Sequence, residues 1–207
     1  MKNREELLEA LQGSPDVLLL IEEVKQSLEQ EAQKRNEFYE LVHEDHKAEF
    51  INGEIIFQSP VRKVHWLVST RLTSRLNSYV EEHNLGIVGV EKVMITLSRN
   101  DYEPDICFFS AEKARDFTDE QIQFPAPDFV VEILSESTEE RDRGIKMRDY
   151  AAHKIPEYWI IDPKEKTIEQ YWLKDKHYEL HQKVAEGKVT SLIIKGFSIA
   201  LTDLFLS

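Results

Sequence analysis

The stretch "DFVVEILS", Asp128 to Ser135, decides the fold of this chain. It is an almost uninterrupted apolar run of strand length, typical of an interior strand that is covered on both faces of its sheet. Glu132 interrupts the run. A carboxylate among apolar neighbours is costly to bury unless it is paired or bound to a metal ion. Glu132 is therefore the first candidate for a functional residue.

The segments around this stretch alternate between strand-like and helix-like patterns. "PDICFFS" (104–110) precedes it and "EYWIID" (157–162) follows it, and both have the composition of buried strands. The polar segment "STEERDRGIKMRDYAAHK" (137–154) predicts a helix, as does "VRKVHWLVSTRLTSRLNSYVEEHN" (61–84), with apolar residues at helical spacing. This order predicts an α/β fold, in which a mixed sheet is flanked by helices.

The start of the chain differs from the rest in its pattern. Residues 1–47 are mostly helical in character and show no motif that carries chemistry. Two strand-like pieces then flank Asn52-Gly53, a dipeptide that strongly favours a tight hairpin turn. We therefore predict a helical N-terminal extension over 1–47 and a single domain over 48–207.

The composition indicates a globular protein of the cytoplasm without membrane partners. The chain has 207 residues, of which 41% are hydrophobic and 31% charged. No apolar run approaches the roughly 20 residues that span a bilayer, and the polar start does not resemble a signal peptide. The single cysteine, Cys107, excludes an internal disulfide framework and lies in an apolar run, which predicts a buried thiol.

The formal net charge of -13 bears on the partners. Proteins that hold nucleic acid mainly through phosphate contacts are usually basic, at least locally. The bulk charge argues against a general nucleic-acid binder. It leaves room for a local basic face, and an acidic metal site itself adds negative charge.

Three residues form the central candidate site. Asp105 enters one predicted strand, Glu132 lies late in another, and Lys146 lies on the helix that follows. Asp142, Lys146 and Tyr150 are spaced four apart and share a helix face. A helix that packs back across its preceding strand brings Lys146 over Glu132. Two carboxylates bind Mg²⁺ or Mn²⁺ well, and a lysine can position the attacking water or offset charge, so the set suits phosphodiester hydrolysis.

A family resemblance rests on four motifs taken in order. "EPDI", "PDFVVEILSEST", "DRGIKMRDY" and "PEYWIIDP" resemble the signature of the PD-(D/E)XK nuclease superfamily, and most closely its Uma-type branch of restriction-endonuclease-like proteins. The opening "AEFINGEIIFQSP" followed by His65 is similar to the same branch. In that branch the motif lysine lies on the helix after the strand, which Leu134 and Lys146 match. The resemblance implies a restriction-endonuclease-like fold, a divalent metal ion and DNA cleavage.

Four further residues are weaker candidates for the cleft. Glu49 precedes the hairpin turn and Glu103 precedes Asp105, so either could complete a metal site, although a solvated loop carboxylate is the simpler interpretation. His65, at the start of a helix, could face the cleft. Tyr150 is more often a core aromatic than a site residue.

Some residues receive purely structural predictions. Trp66, Trp159 and Trp172 are expected to pack in the core. Gly144 lies inside a predicted helix, where a close approach of the helix to the sheet would account for it.

We expect a metal-dependent endonuclease that hydrolyses DNA and forms a homodimer through edge strands or the apolar N-terminal helix. Two alternatives stay open. One is a catalytically inactive binding or assembly module on a nuclease fold, which the acidic balance favours. The other is a hydrolase of a small phosphorylated substrate, which predicts a narrow closed pocket.

Overall fold

A computed structural model describes residues 4–42 and 47–205. The ends of the chain and residues 43–46, within the predicted N-terminal extension, lie outside the described residues. The helical segments are α1 (Arg4–Gln12), α2 (Val17–Leu41), α3 (Lys63–Glu82), α4 (Ala111–Ala114), α5 (Glu139–Arg141), a π-helical turn (Asp142–Lys146), α6 (Met147–Ala152) and α7 (Leu201–Leu204). No helix of these residues is long and apolar enough to cross a membrane.

Thirteen strands form three sheets in the described chain. They are β1 (Ala48–Ile51), β2 (Glu54–Phe57), β3 (Gly86–Val90), β4 (Met94–Thr96), β5 (Asp101–Tyr102), β6 (Ile106–Ser110), β7 (Gln123–Phe124), β8 (Phe129–Ile133), β9 (Glu157–Asp162), β10 (Thr167–Lys174), β11 (His177–Val184), β12 (Lys188–Thr190) and β13 (Ser198–Ala200). The α/β prediction of a mixed sheet flanked by helices is confirmed.

The central sheet has six strands in the order β11-β10-β9-β8-β6-β3. Strand β8, the apolar run that contains Glu132, lies in the interior of this sheet and pairs parallel with β9 and antiparallel with β6. All five of its residues are buried, as the apolar run predicts. This strand carries Glu132 of the candidate site.

The two faces of the central sheet carry separate cores. Val131 and Ile133 of β8 pack with α3 on one face, whereas Val130 and Leu134 pack with Tyr150 on the other. Because side chains alternate along a strand, Glu132 belongs to the Tyr150 face. The helix after β8 therefore covers the carboxylate.

A second sheet lies beside this face, in the order β2-β1-β5-β4-β7. Its β1–β2 hairpin turns at Asn52 and Gly53, both in the left-handed region with φ of 50° and 83°. This is the turn that the Asn-Gly dipeptide predicts. The hairpin brings β1 against β5 and so places Glu49 beside Glu103.

The helix after β8 contains an irregularity that the sequence did not predict. Its π-helical turn, Asp142–Lys146, lies between α5 and α6. A close approach to the sheet does not account for Gly144, because a Cβ built on this glycine meets nothing within 4 Å. The glycine therefore has no packing role in the described chain.

The N-terminal helices divide into a packed part and an exposed part. Phe38 of α2 is fully buried against Phe50, and Arg35 donates two hydrogen bonds to the buried carboxylate of Asp101. The first half of α2 instead exposes apolar side chains, with Leu18 78% exposed.

The predicted burial of the tryptophans is confirmed for Trp159 and wrong for Trp66, which is 45% exposed on α3. Helix α3 turns its opposite side, through Val68 and Leu72, to the core, which leaves Trp66 at the surface. Trp172 is half-buried and stacks on His181.

Candidate active site

Two adjacent strands place Asp105 and Glu132 together. Ile106 of β6 pairs with Val131 of the antiparallel strand β8. Asp105 precedes Ile106 and Glu132 follows Val131, so the two carboxylates lie opposite each other. Both side chains are buried, at 6% and 3% exposure. The pairing register explains why two acids distant in sequence meet at one point.

Asp105 is held by one backbone N–H group, one lysine and one histidine. Its Oδ2 accepts a hydrogen bond from the Ile133 N–H at 2.8 Å, and His65 Nε2 lies 3.2 Å from the same oxygen. Lys47 Nζ lies 3.4 Å from Oδ1. Burial alone would raise the pKa of Asp105, but the hydrogen bond from His65 and the charge of Lys47 lower it to about 2. Asp105 is therefore ionised at neutral pH.

Glu132 has a different environment. Its Oε1 accepts hydrogen bonds from Lys146 Nζ at 3.0 Å and from the Tyr150 hydroxyl at 2.8 Å. Burial raises the pKa of Glu132 to about 8 despite the charge of Lys146, and the surrounding carboxylates add to the rise. The site thus holds more acidic groups than its cations neutralise.

Lys146 is enclosed by three carboxylates. Its Nζ lies 2.9 Å from Glu49, 3.0 Å from Glu132 and 3.3 Å from Asp142, and the side chain is 2% exposed. Burial alone would lower the pKa of Lys146, but these three carboxylates raise it well above its usual value. The ammonium stays charged, so it can donate hydrogen bonds and offset charge but cannot act as a base.

Two buried polar atoms of the site have no partner among the described residues. They are Glu49 Oε2 and His65 Nδ1, whereas Asp142 Oδ1 makes no hydrogen bond but lies 3.3 Å from Lys146 Nζ. An unpaired buried carboxylate oxygen is costly. The Glu49 oxygen therefore leaves the cluster with unused capacity for a cation or a donor.

The structure brings six of the seven sequence candidates into one cluster. Direct contacts join Asp105 to His65, and Lys146 to Glu132 and Glu49, while Tyr150 reaches Glu132. Glu103 is the exception: its side chain lies outside this cluster, and its Oε2 accepts a hydrogen bond from the Ala48 N–H at 3.0 Å. Burial raises the pKa of Glu103 to about 7.

Sequence reasoning missed Lys47 and undervalued Asp142. Lys47 lies just before β1, and its Nζ lies between Asp105 Oδ1 and Glu91 Oε2, 3.1 Å from the latter. No local pattern marks this lysine. Asp142 had a signal in its spacing from Lys146, but that spacing equally suits a surface ion pair, whereas the pair is buried.

The donor set fits a hard divalent cation. Among the described residues, no group of three or more His, Cys, Asp or Glu side chains is arranged to hold a metal ion by itself. Asp105 and Glu132 offer carboxylate oxygens from neighbouring strands, however, and Mg²⁺ is commonly held by one or two carboxylates together with waters and substrate phosphate. The excess of buried carboxylates over cations in this cluster agrees with such a site.

The fold and this arrangement define the class, a restriction-endonuclease-like α/β protein. Residues 35–202 match the model of the Uma2 family, described as "putative restriction endonuclease". The chain belongs to the Uma2 family, as its motifs indicated.

Two further proteins are similar to this chain. A crystal structure of a putative nuclease belonging to DUF820, from Anabaena variabilis, superposes with a TM-score of 0.70 at 23% identity and covers 82% of this chain and 96% of its own. An uncharacterized protein of Synechocystis sp. is 29% identical over 131 residues, which are 62% of this chain and 67% of the relative. The first of these shows the shared fold.

Proposed function

We propose that the chain is a metal-dependent endonuclease that hydrolyses phosphodiester bonds in DNA. The observation that carries this proposal is the convergence of Asp105 and Glu132 at the paired ends of β6 and β8, with Lys146 over Glu132. Membership of a restriction-endonuclease family supports the same reaction class.

Asp105 and Glu132 are the residues that would hold Mg²⁺ or Mn²⁺. When bound, the ion would supply an acidified water and neutralise charge on the phosphate. The His65–Asp105 contact and the Lys146–Glu132 contact fix the direction of each carboxylate. Such fixed ligands avoid the cost of ordering them when a substrate arrives.

The two lysines have different roles in this proposal. Lys146 is buried and contacts Glu49, Glu132 and Asp142. It therefore orients Glu132 and supplies a fixed positive charge. The Lys47 side chain is 15% exposed beside Asp105, which leaves it nearer to solvent than Lys146. Lys47 is thus better placed to contact a phosphate oxygen.

A local basic element lies next to this site and reduces the conflict with the acidic net charge. Arg62 and Lys63 begin α3, two residues before His65 contacts Asp105. Arg62 is largely exposed and paired with Glu136, which follows β8. A duplex that reaches Asp105 would bring its phosphates close to these side chains.

A catalytically inactive binding module is the principal alternative, because the carboxylates already have internal partners. Purified protein with supercoiled plasmid and Mn²⁺ or Mg²⁺ separates the two. We expect nicking that Asp105→Asn and Glu132→Gln reduce at least a hundredfold. Glu54→Gln, which removes an exposed carboxylate from the β1–β2 hairpin, should not reduce it. Equal nicking by all variants, or none by the native chain, contradicts the nuclease proposal.

The same assay with a small phosphorylated substrate, such as p-nitrophenyl phosphate, tests the third function. Turnover of that substrate without plasmid nicking would show that the substrate is a small phosphate ester and not DNA. We expect the reverse, because Asp105 lies beside the exposed basic start of α3.

We also propose a cytoplasmic homodimer in which a second copy covers the apolar first half of α2. Leu18, Leu19 and Val24 are 78%, 65% and 58% exposed there. Light scattering should give a dimer for the native chain and a monomer for Leu18→Glu/Val24→Glu, and a native monomer would contradict the pairing.

A further inference from the structure

A second candidate site lies on the opposite face of the central sheet from Glu132. It is a cavity of about 530 Å³ between the β10–β11 hairpin and the segment from β12 to Gly196. Trp172 lines it and follows Ile168 by four residues, so it shares the face of the core that contains α3. The cavity is therefore separate from the proposed nuclease site.

An aromatic wall of the cavity is built by a β-bulge. Gln170 pairs with Gln182 and Tyr171 with Leu180, which leaves His181 as the extra residue. Its ring stacks on Trp172 with centroids 3.5 Å apart and planes 9° apart. Bulges commonly re-aim a side chain next to a functional site. The wall is a flat π-surface at the rim of an open cavity.

The charged lining of the cavity is entirely cationic. Lys188 and Lys195 are both exposed there, and no carboxylate is among the lining residues. In a chain with a net charge of -13, such a patch departs from the average surface. Thr190 and Gln182 add neutral polar groups. The chemistry suits an anion that also carries an aromatic ring.

A fully buried carboxylate fixes the floor of the cavity. Glu157 accepts hydrogen bonds from the Ser191 hydroxyl at 2.7 Å and from the N–H groups of Leu192 and Ile193 at 2.9 and 3.0 Å. Gln170 donates to Glu157 and in turn accepts from Gln182 at 2.6 Å. The floor is thus pre-organised, which lowers the cost of ordering on binding.

A second anchor fixes the cationic rim. The Tyr79 hydroxyl donates to the Lys195 carbonyl at 3.0 Å. Gly196, with φ of 86°, lies so close that a Cβ on it would collide with that hydroxyl. The backbone position of Lys195 is therefore set by packing against α3.

We propose that this cavity binds a nucleotide unit, with the base against the Trp172–His181 wall and the phosphate at Lys188 and Lys195. The volume lies in the range of small-molecule sites, and stacking plus cationic contacts is how proteins hold single nucleotides and single strands. A free nucleotide and a unit of single-stranded DNA offer the same chemistry. This site does not depend on the proposed nuclease reaction.

The test is calorimetric titration with thymidine 5′-monophosphate and with a short oligothymidylate, both with EDTA present to exclude metal-dependent binding. We expect saturable binding of at least one probe, weakened tenfold or more by Lys188→Ala/Lys195→Ala and by Trp172→Ala. Tighter binding of the oligomer per site would assign the ligand to single-stranded DNA, and equal binding would assign it to free nucleotides.

Two controls keep the outcomes distinct. Lys25→Ala/Lys34→Ala removes two exposed positive charges from α2 and should leave binding unchanged. The titrations contain EDTA and require no cleavage, so a failed nuclease proposal does not affect this result. No binding of either probe, or equal losses in the two double-lysine variants, overturns the nucleotide site.

Discussion

Lys146 Nζ lies 2.9 Å from Glu49 Oε1, a contact that joins the helix after β8 to the first strand of the hairpin. Glu49 also accepts the backbone N–H of Glu103. The lysine thus links the element that carries Glu132 to the sheet beside it. Removing this one cation affects three buried carboxylates at once.

Lys146→Met should lower the free energy of unfolding by about 3–5 kcal/mol, because it leaves buried carboxylates without their cation. Adding Glu49→Gln should recover about 1–3 kcal/mol, since the two groups interact directly. Urea denaturation at pH 7 measures both. Additive losses in the double variant would show that the contact contributes little.

Mn²⁺ binding tests the metal-holding carboxylates without requiring catalysis. Titration calorimetry should detect binding by the native chain and none by Asp105→Asn or Glu132→Gln, because each removes one of the two carboxyl groups that would hold the ion. Glu54→Gln, with an exposed carboxylate, serves as the control. Undiminished binding by both site variants would place the ion elsewhere.

Lys47→Met should lower plasmid nicking at least tenfold, mainly through a higher KM, because Lys47 lies at the more open side of Asp105. Lys174→Met removes a surface lysine paired with Glu179 and should leave nicking unchanged. A fall in kcat with no change in KM would instead assign Lys47 to the chemical step.

Glu169 provides a prediction for pH dependence away from the candidate site. Burial alone would raise its pKa, but hydrogen bonds from Arg143, Tyr171 and Lys183 lower it to about 2. A lowered folded-state pKa gives stability that is present above the unfolded pKa of about 4.5 and lost as the pH falls towards 2.

Glu169→Gln should therefore cost about 2 kcal/mol at pH 7 and much less at pH 3, measured by chemical denaturation at each pH. The exposed Glu179, paired with Lys174, is the matched control, and Glu179→Gln should change stability by less than about 0.5 kcal/mol at either pH. A cost at pH 3 equal to that at pH 7 would contradict the assignment.

Gly144→Ala should raise the free energy of unfolding by up to about 1 kcal/mol, because a Cβ there meets nothing within 4 Å and alanine favours helix. Gly89→Ala should do the opposite, since its Cβ would lie 2.7 Å from Cys107 Sγ. Thermal unfolding of both variants checks the pair. A destabilised Gly144→Ala would show that the π-helical turn depends on the glycine.

The local patterns predicted the elements well. The apolar run around Glu132, the Asn-Gly turn and the helical spacing of Lys146 and Tyr150 each depend on neighbours within a few residues, which sequence shows directly. The contact between Lys146 and Glu132 was expected only on the further assumption that the helix packs back across its preceding strand.

The remaining contacts depend on pairing between distant segments. Lys47 meets Asp105, and His65 meets the same carboxylate, only because the hairpin and α3 pack against the end of β6. Asp142 is buried because the helix packs on the sheet, which its own sequence does not reveal. Trp66 was misplaced because that prediction rested on residue type, whereas the apolar residues at helical spacing, such as Val68 and Leu72, mark a different side of α3.

The hydrogen bond from the Ile133 N–H to Asp105 Oδ2 gives this aspartate a second task. The Asp105 side chain caps the junction of β6 and β8 where their hydrogen-bond ladder ends. This contact would stabilise the fold even in a chain without catalytic activity, so Asp105 would be retained there too. Glu132 has no such backbone partner among the described contacts. In related sequences, replacement of the residue that corresponds to Glu132 is therefore the better marker of lost catalytic activity. A retained aspartate at the position of Asp105 is only weak evidence that activity is present.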